Sequence, residues 1–106
     1  MQSARGDLEG ALAAYDEGLQ IARRLLARDP ERPEWRDDIA ISLSRKAQVA
    51  EAAARPADAL ALWREALATL TPLLTRPSPL PAWQQHASIC RDAIARLEAA
   101  SPSHSA

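Results

Sequence analysis

The sequence has no phenylalanine, a single cysteine, three glycines and one valine among its 106 residues, and its formal net charge is −1. Each scarcity excludes something. A lone Cys90 cannot form an intramolecular disulfide or a cysteine-cluster metal site. With valine nearly absent and few isoleucines or threonines, no window alternates β-branched and polar residues as a strand does. The near-neutral charge provides no field to draw in nucleic acid. No apolar run approaches the length of a membrane span, so no membrane partner is expected. The first residues, Met1 to Asp7, contain no apolar core of a secretory signal. A soluble cytoplasmic protein is expected. The few glycines form no phosphate-binding loop. Of 13 basic residues only Lys46 is lysine, a bias that fits genome composition better than a site.

What is abundant is alanine, the residue with the best helix propensity. At this length the chain forms one domain with a modest core. It also repeats itself. A shift of 48 positions carries Ala11, Leu12, Tyr15, Glu17 and Leu19 onto Ala59, Leu60, Trp63, Glu65 and Leu67. The same shift carries Leu25-Leu26 onto Leu73-Leu74, and Pro33 and Trp35 onto Pro81 and Trp83. One register over so much chain is an internal repeat, and a period of this size belongs to stacked helical hairpins.

Periodicity places four helices. Gly6-Asp7 reads as a turn and an N-cap, with residues 1–6 a short leading segment. Leu8, Leu12, Tyr15, Leu19, Ala22 and Leu26 then form one stripe, predicting a helix over about 7–28. The loop Asp29–Arg32 follows, and Pro33 suits the first position of the next helix. That helix is expected over 33–54, with Trp35, Ile39, Leu43, Ala47, Ala50 and Ala54 on its stripe. Ile41, Val49 and Ala52 lie off the stripe, so this helix touches neighbours on two sides. The third is expected over 56–75 on Leu60, Trp63, Leu67, Leu70 and Leu74, with a kink at Thr71-Pro72. After a proline-rich loop, the fourth runs over 81–99 on Trp83, Ala87, Cys90, Ile94 and Leu97. The tail 101–106 has nothing to bury and is expected to be disordered.

Ala59, Trp63 and Ala66, and again Ala11, Tyr15 and Gly18, carry small-aromatic-small spacing on the second helix of a hairpin. In this the chain resembles the tetratricopeptide repeat (TPR) family. Leu43 and Ala47 fit the large-then-small pattern of that family's first helix. Lys46 stands where leucine is usual, and Ala50 where tyrosine is usual. The period of 48 also exceeds the family's common repeat of about 34 residues, the extra length falling in the second helices. The resemblance spans about Gly6 to Leu97. It implies an all-α fold of four antiparallel helices in a TPR-like hairpin stack, a fragment of an α-solenoid. The chain opens on a second-type helix and closes on a first-type one. It is therefore either the end of a longer array or a stack closed by two half-hairpins.

The function that this resemblance implies is non-catalytic protein–protein interaction, as a scaffold for a peptide or partner helix on the concave face. Carried over position by position, the lining is Ile41, Ser44, Gln48 and Glu51, then Ile89, Asp92 and Arg96. Ser44 and Gln48 stand where the carboxylate-clamping subfamily uses lysine and asparagine, which speaks against that specificity. The same residues also fit a solvated face of mixed charge. Arg96 is the natural acidic-group binder, because its planar fork holds a carboxylate bidentately. Asp92, one turn earlier, is the expected resting partner of Arg96. A structural self-association unit, a homodimer or end-to-end stack, is the alternative reading. Enzymatic roles are weaker. His86 and Cys90 sit one turn apart, but no third ligand accompanies them for a metal and nothing supplies an oxyanion hole. No cofactor is expected. Trp35 and Trp83, at the same register, read as packing anchors, and Asp37-Asp38 as complements to a helix dipole.

Overall fold

The computed structural model describes residues 4–100, which form four α-helices and, among these residues, no strand. The helices are α1 (Ala4–Arg28), α2 (Pro33–Ala52), α3 (Pro56–Leu74) and α4 (Pro81–Ala100). Pro33, Pro56 and Pro81 each open a helix, where a missing N–H costs nothing. The connections are short, so consecutive helices pack antiparallel. Each helix lies against the next in sequence, and α2 packs against both α1 and α3.

The core is built from small residues around a few large ones. Ala40, Ala47, Ala59, Ala66 and Ala87 are fully buried, and so is Cys90. Leu43, Leu70 and Leu73 fill the spaces between them, with Trp63 at 2% exposure and Trp83 at 7%. Alanine at a crossing point lets two helix backbones approach closely, and this leaves little room for change at the large residues. The small-aromatic-small triplet of α3 is therefore wholly buried. Its α1 counterpart is not: Ala11 and Tyr15 are half-buried and Gly18 is exposed. Four ion pairs link helices at the surface: Asp16 with Lys46, Arg64 with Glu98, Arg23 of α1 with Glu65 of α3, and Glu51 of α2 with Arg96 of α4. Exposed pairs of this kind contribute ~0–1 kcal/mol each.

The boundaries differ from expectation in four places, the smallest being the end of α4 at Ala100 instead of 99. Helix α1 begins at Ala4, so Asp7 lies in its first turn and is not an N-cap. No breaker precedes Asp7 strongly enough to stop the helix, and its carboxylate still complements the helix dipole from within. Helix α2 stops at Ala52, two residues early. Ala54 adopts a left-handed backbone (φ 58°), and the Arg55 N–H reaches the Ala50 carbonyl at 2.9 Å, a C-terminal cap usually made with glycine. Helix α3 passes through Pro72 but ends two residues later, at Leu74. The expected tail 101–106 lies outside the described residues.

Candidate functional site

The predicted lining divides into three groups. Ile41, Ser44 and Gln48 of α2 do meet Ile89 of α4, across a shallow groove of about 300 Å³. Arg45 and His86 line it as well, with Trp63 of α3 beneath. Ile41 is 37% exposed and Ile89 48%, which gives the groove an apolar rim.

The floor is polar. Ser44 is only 6% exposed, on a helix face turned toward α4. Its Oγ shares a hydrogen bond with His86 Nε2 at 2.7 Å and lies 3.9 Å from Cys90 Sγ. Burial lowers the His86 pKa from its ordinary value, with Asp37 opposing that shift. Burial likewise raises the Asp37 carboxyl, which is half-covered, with His86 acting against the shift and Asp38 adding to it. Cys90 is raised by burial too, so its thiol stays protonated and unreactive. Serine, histidine and aspartate in sequence resemble a nucleophile with its base, but the surroundings do not serve one. The amides around Ser44 are committed to the hydrogen-bond ladder of α2, so the backbone there offers no oxyanion hole. The network instead satisfies polar groups at a helix crossing, and among the described residues no buried side-chain nitrogen or oxygen lacks a partner.

The second group is Glu51 and Arg96. The Arg96 Nη1 and Nη2 donate to Glu51 Oε1 and Oε2 at 2.6 and 3.3 Å, a bidentate pair from α4 to α2. The Trp63 indole Nε1 donates to Glu51 Oε2 at 2.8 Å. The Arg96 guanidinium holds the Glu51 carboxyl below its usual range, and the indole N–H adds to this against a partial desolvation. Arg96 therefore rests on Glu51 and not on Asp92, as its spacing along α4 had implied. A partner within the helix competes poorly here, because the carboxylate across the crossing is already held by the indole and presents both oxygens.

Asp92 forms the third group alone. It is exposed and absent from the groove lining. The repeat shift explains this. Asp92 corresponds to Ser44, which α4 buries, whereas among the described residues no helix covers Asp92.

Two features had no sequence signal. The larger cavity, about 720 Å³, opens on a different face of α2, between α1 and α3. Leu8, Leu12, Val49, Ala50, Ala53 and Leu62 give it apolar walls. A third depression, of about 260 Å³, lies between α1 and α2. Trp83 is buried as expected of an anchor, while Trp35 is half-buried with the Arg32 guanidinium 5.8 Å from its ring centroid. Among the described residues no three histidine, cysteine or acidic side chains gather as metal ligands, and no helix is long and apolar enough to cross a membrane. The chain shows no match to a protein family, to a curated protein or to a solved structure.

Proposed function

We propose that the chain is a non-catalytic protein-interaction module of TPR-like architecture, working in the cytoplasm and holding a peptide on the α2/α4 face. The observation that carries this reading is the groove itself. Two exposed isoleucines, Ile41 and Ile89, flank a polar floor in which Ser44 and His86 are already mutually satisfied. Gln48 on the lining remains exposed and keeps its amide available to a peptide backbone. Apolar rims give contact area, and a few polar groups give orientation.

The Glu51–Arg96 pair changes the expected specificity. An acidic or C-terminal peptide group must take Arg96 away from Glu51, leaving Glu51 with the Trp63 indole alone. Binding through Arg96 is thus an exchange of one carboxylate for another, weak and sensitive to salt. The test is a peptide-array screen of the parent, Ile89→Asp and Arg96→Ala at low and high salt. Ile89→Asp is expected to abolish capture, and Arg96→Ala to remove the preference for acidic sequences. Capture unchanged in both variants would place the site off this face.

A further inference from the structure

The repeat shift allows each residue of α1 and α2 to be compared with its counterpart in α3 and α4, and on one side the two do not agree. Ala66, Leu70, Leu73 and Cys90 are each 2% exposed or less, in the repeat where α2 lies against α3 and Ser44 reaches α4. Their counterparts, 48 positions earlier, are Gly18, Ala22, Leu25 and Ser42. All four line the open groove between α1 and α2. Gly18 is exposed and Leu25 and Ser42 are half-buried, while Ala22 at 5% exposure is buried as Leu70 is. A Cβ placed on Gly18 would meet only Ser42 Oγ, at 4.0 Å. Ile21, 45% exposed, borders the same groove. The first repeat thus has an apolar floor whose equivalent in the second repeat lies beneath a helix.

We infer that this groove docks an amphipathic helix of another polypeptide, presenting a side like that of α2. On α2 the side that is covered reads Ile39, Ala40, Leu43, Ser44 and Ala47, large and small residues at helical spacing. Charge refines the inference. His86, which meets Ser44 in the second repeat, corresponds to Asp38 in the first. Asp38 is exposed, lines the groove, and forms no ion pair among the described residues. A docked helix with arginine or lysine at the position of Ser44 would supply the missing partner.

A second copy of the chain is a poor occupant. Its free end helix is α4, whose residues Ser88, Arg91, Asp92 and Ala95 correspond to the buried Ala40, Leu43, Ser44 and Ala47 of α2. All four are exposed on α4, and seating Arg91 and Asp92 in an apolar groove would strip them of water. The α1/α2 groove shares Ile41 with the α2/α4 groove, and the remaining residues of the two linings differ.

The test uses the full chain, isotope-labelled, and a synthetic peptide of residues 33–54 carrying S44R. Saturable binding is expected, with amide shifts centred on Gly18, Ile21, Ala22, Leu25, Asp38 and Ser42. Gly18→Leu fills the floor with a better helix former, and Asp38→Lys reverses the charge. Each should weaken the peptide by about tenfold or more while circular dichroism and melting stay native-like. No saturation at millimolar peptide, or shifts centred on Gln48 and Ile89, would overturn the inference. Shifts throughout the core would mean that the peptide displaces α2, and would overturn it as well. A dimer of the chain alone, dissociated by Gly18→Leu in sedimentation, would assign the groove to a second copy and reject the foreign helix.

Discussion

Replacing Trp63 by alanine removes the largest side chain at the centre of the stack. Trp63 is 2% exposed and sits between Ala59 and Ala66, which are both fully buried. Those alanines cannot expand, and α2 and α4 are held close to α3 by their own small residues, so the space left behind collapses only in part. The loss is then the transfer term plus a cavity term, ~3–5 kcal/mol for a buried tryptophan. The indole N–H bond to Glu51 is a smaller part, because Glu51 is half-exposed and keeps Arg96. Trp63→Phe separates the two: it keeps most of the volume, loses the hydrogen bond, and is expected to cost ~1–2 kcal/mol. At ~4–8 °C per kcal/mol for a domain of this size, Trp63→Ala should lower the melting temperature by ~12 °C or more. Urea denaturation followed by circular dichroism gives the same free energies independently. A Trp63→Ala variant melting within a few degrees of the parent would refute the argument that this residue keeps the hairpins together.

His86 should make stability depend on pH. Its folded pKa is lowered, so the unfolded chain takes up a proton that the folded one resists. Stability is therefore fully present above about pH 6.5 and falls as pH drops below it, and His86→Gln should flatten that limb in denaturation at pH 7 and 5.5. An identical pH slope in the variant would acquit His86. Ala54→Gly should stabilise by up to ~1 kcal/mol, since glycine takes the left-handed cap conformation without penalty and the Arg55 to Ala50 hydrogen bond is kept. A fall in melting temperature would show that the cap is not strained.

How much of this could be read in advance depends on the kind of information. Helix order and the buried stripes follow from periodicity and from three helix-opening prolines, which are local signals. Leu43, Trp63, Leu70 and Cys90 are buried where the stripes put them. Helix α1 starts before the point that the sequence marks, because Gly6-Asp7 is weak punctuation in an alanine-rich context. The side-chain partners were harder. Glu51 reaches both Trp63 and Arg96, and Ser44 reaches His86, only once the rotation of three helices about their axes is fixed. Spacing along one helix proposes partners such as Asp92 for Arg96. It carries no information on a carboxylate that a neighbouring helix brings closer.

The two ends of the stack are not equivalent, and the difference has a direction. On α4, the positions that α2 uses to bury Ala40 and Leu43 are occupied by Ser88 and Arg91, and both are exposed. Helix α4 thus turns serine and arginine toward water, and Trp83, Ala87 and Leu97 toward its neighbours. At the other end, Ile21, Leu25 and Ile41 remain at least partly exposed around Gly18, with the charged Asp38 of α2 in the same lining. Adding a helix there would bury apolar surface and desolvate Asp38 unless the helix brought a cation to it, whereas adding one at α4 would desolvate both Arg91 and Asp92. At roughly 25 cal/mol per Å² of apolar surface removed from water, growth is more favourable at the α1/α2 end. The asymmetry therefore favours one added helix per chain over an open-ended polymer, because the surface that could seat a second copy has no matching surface at α4.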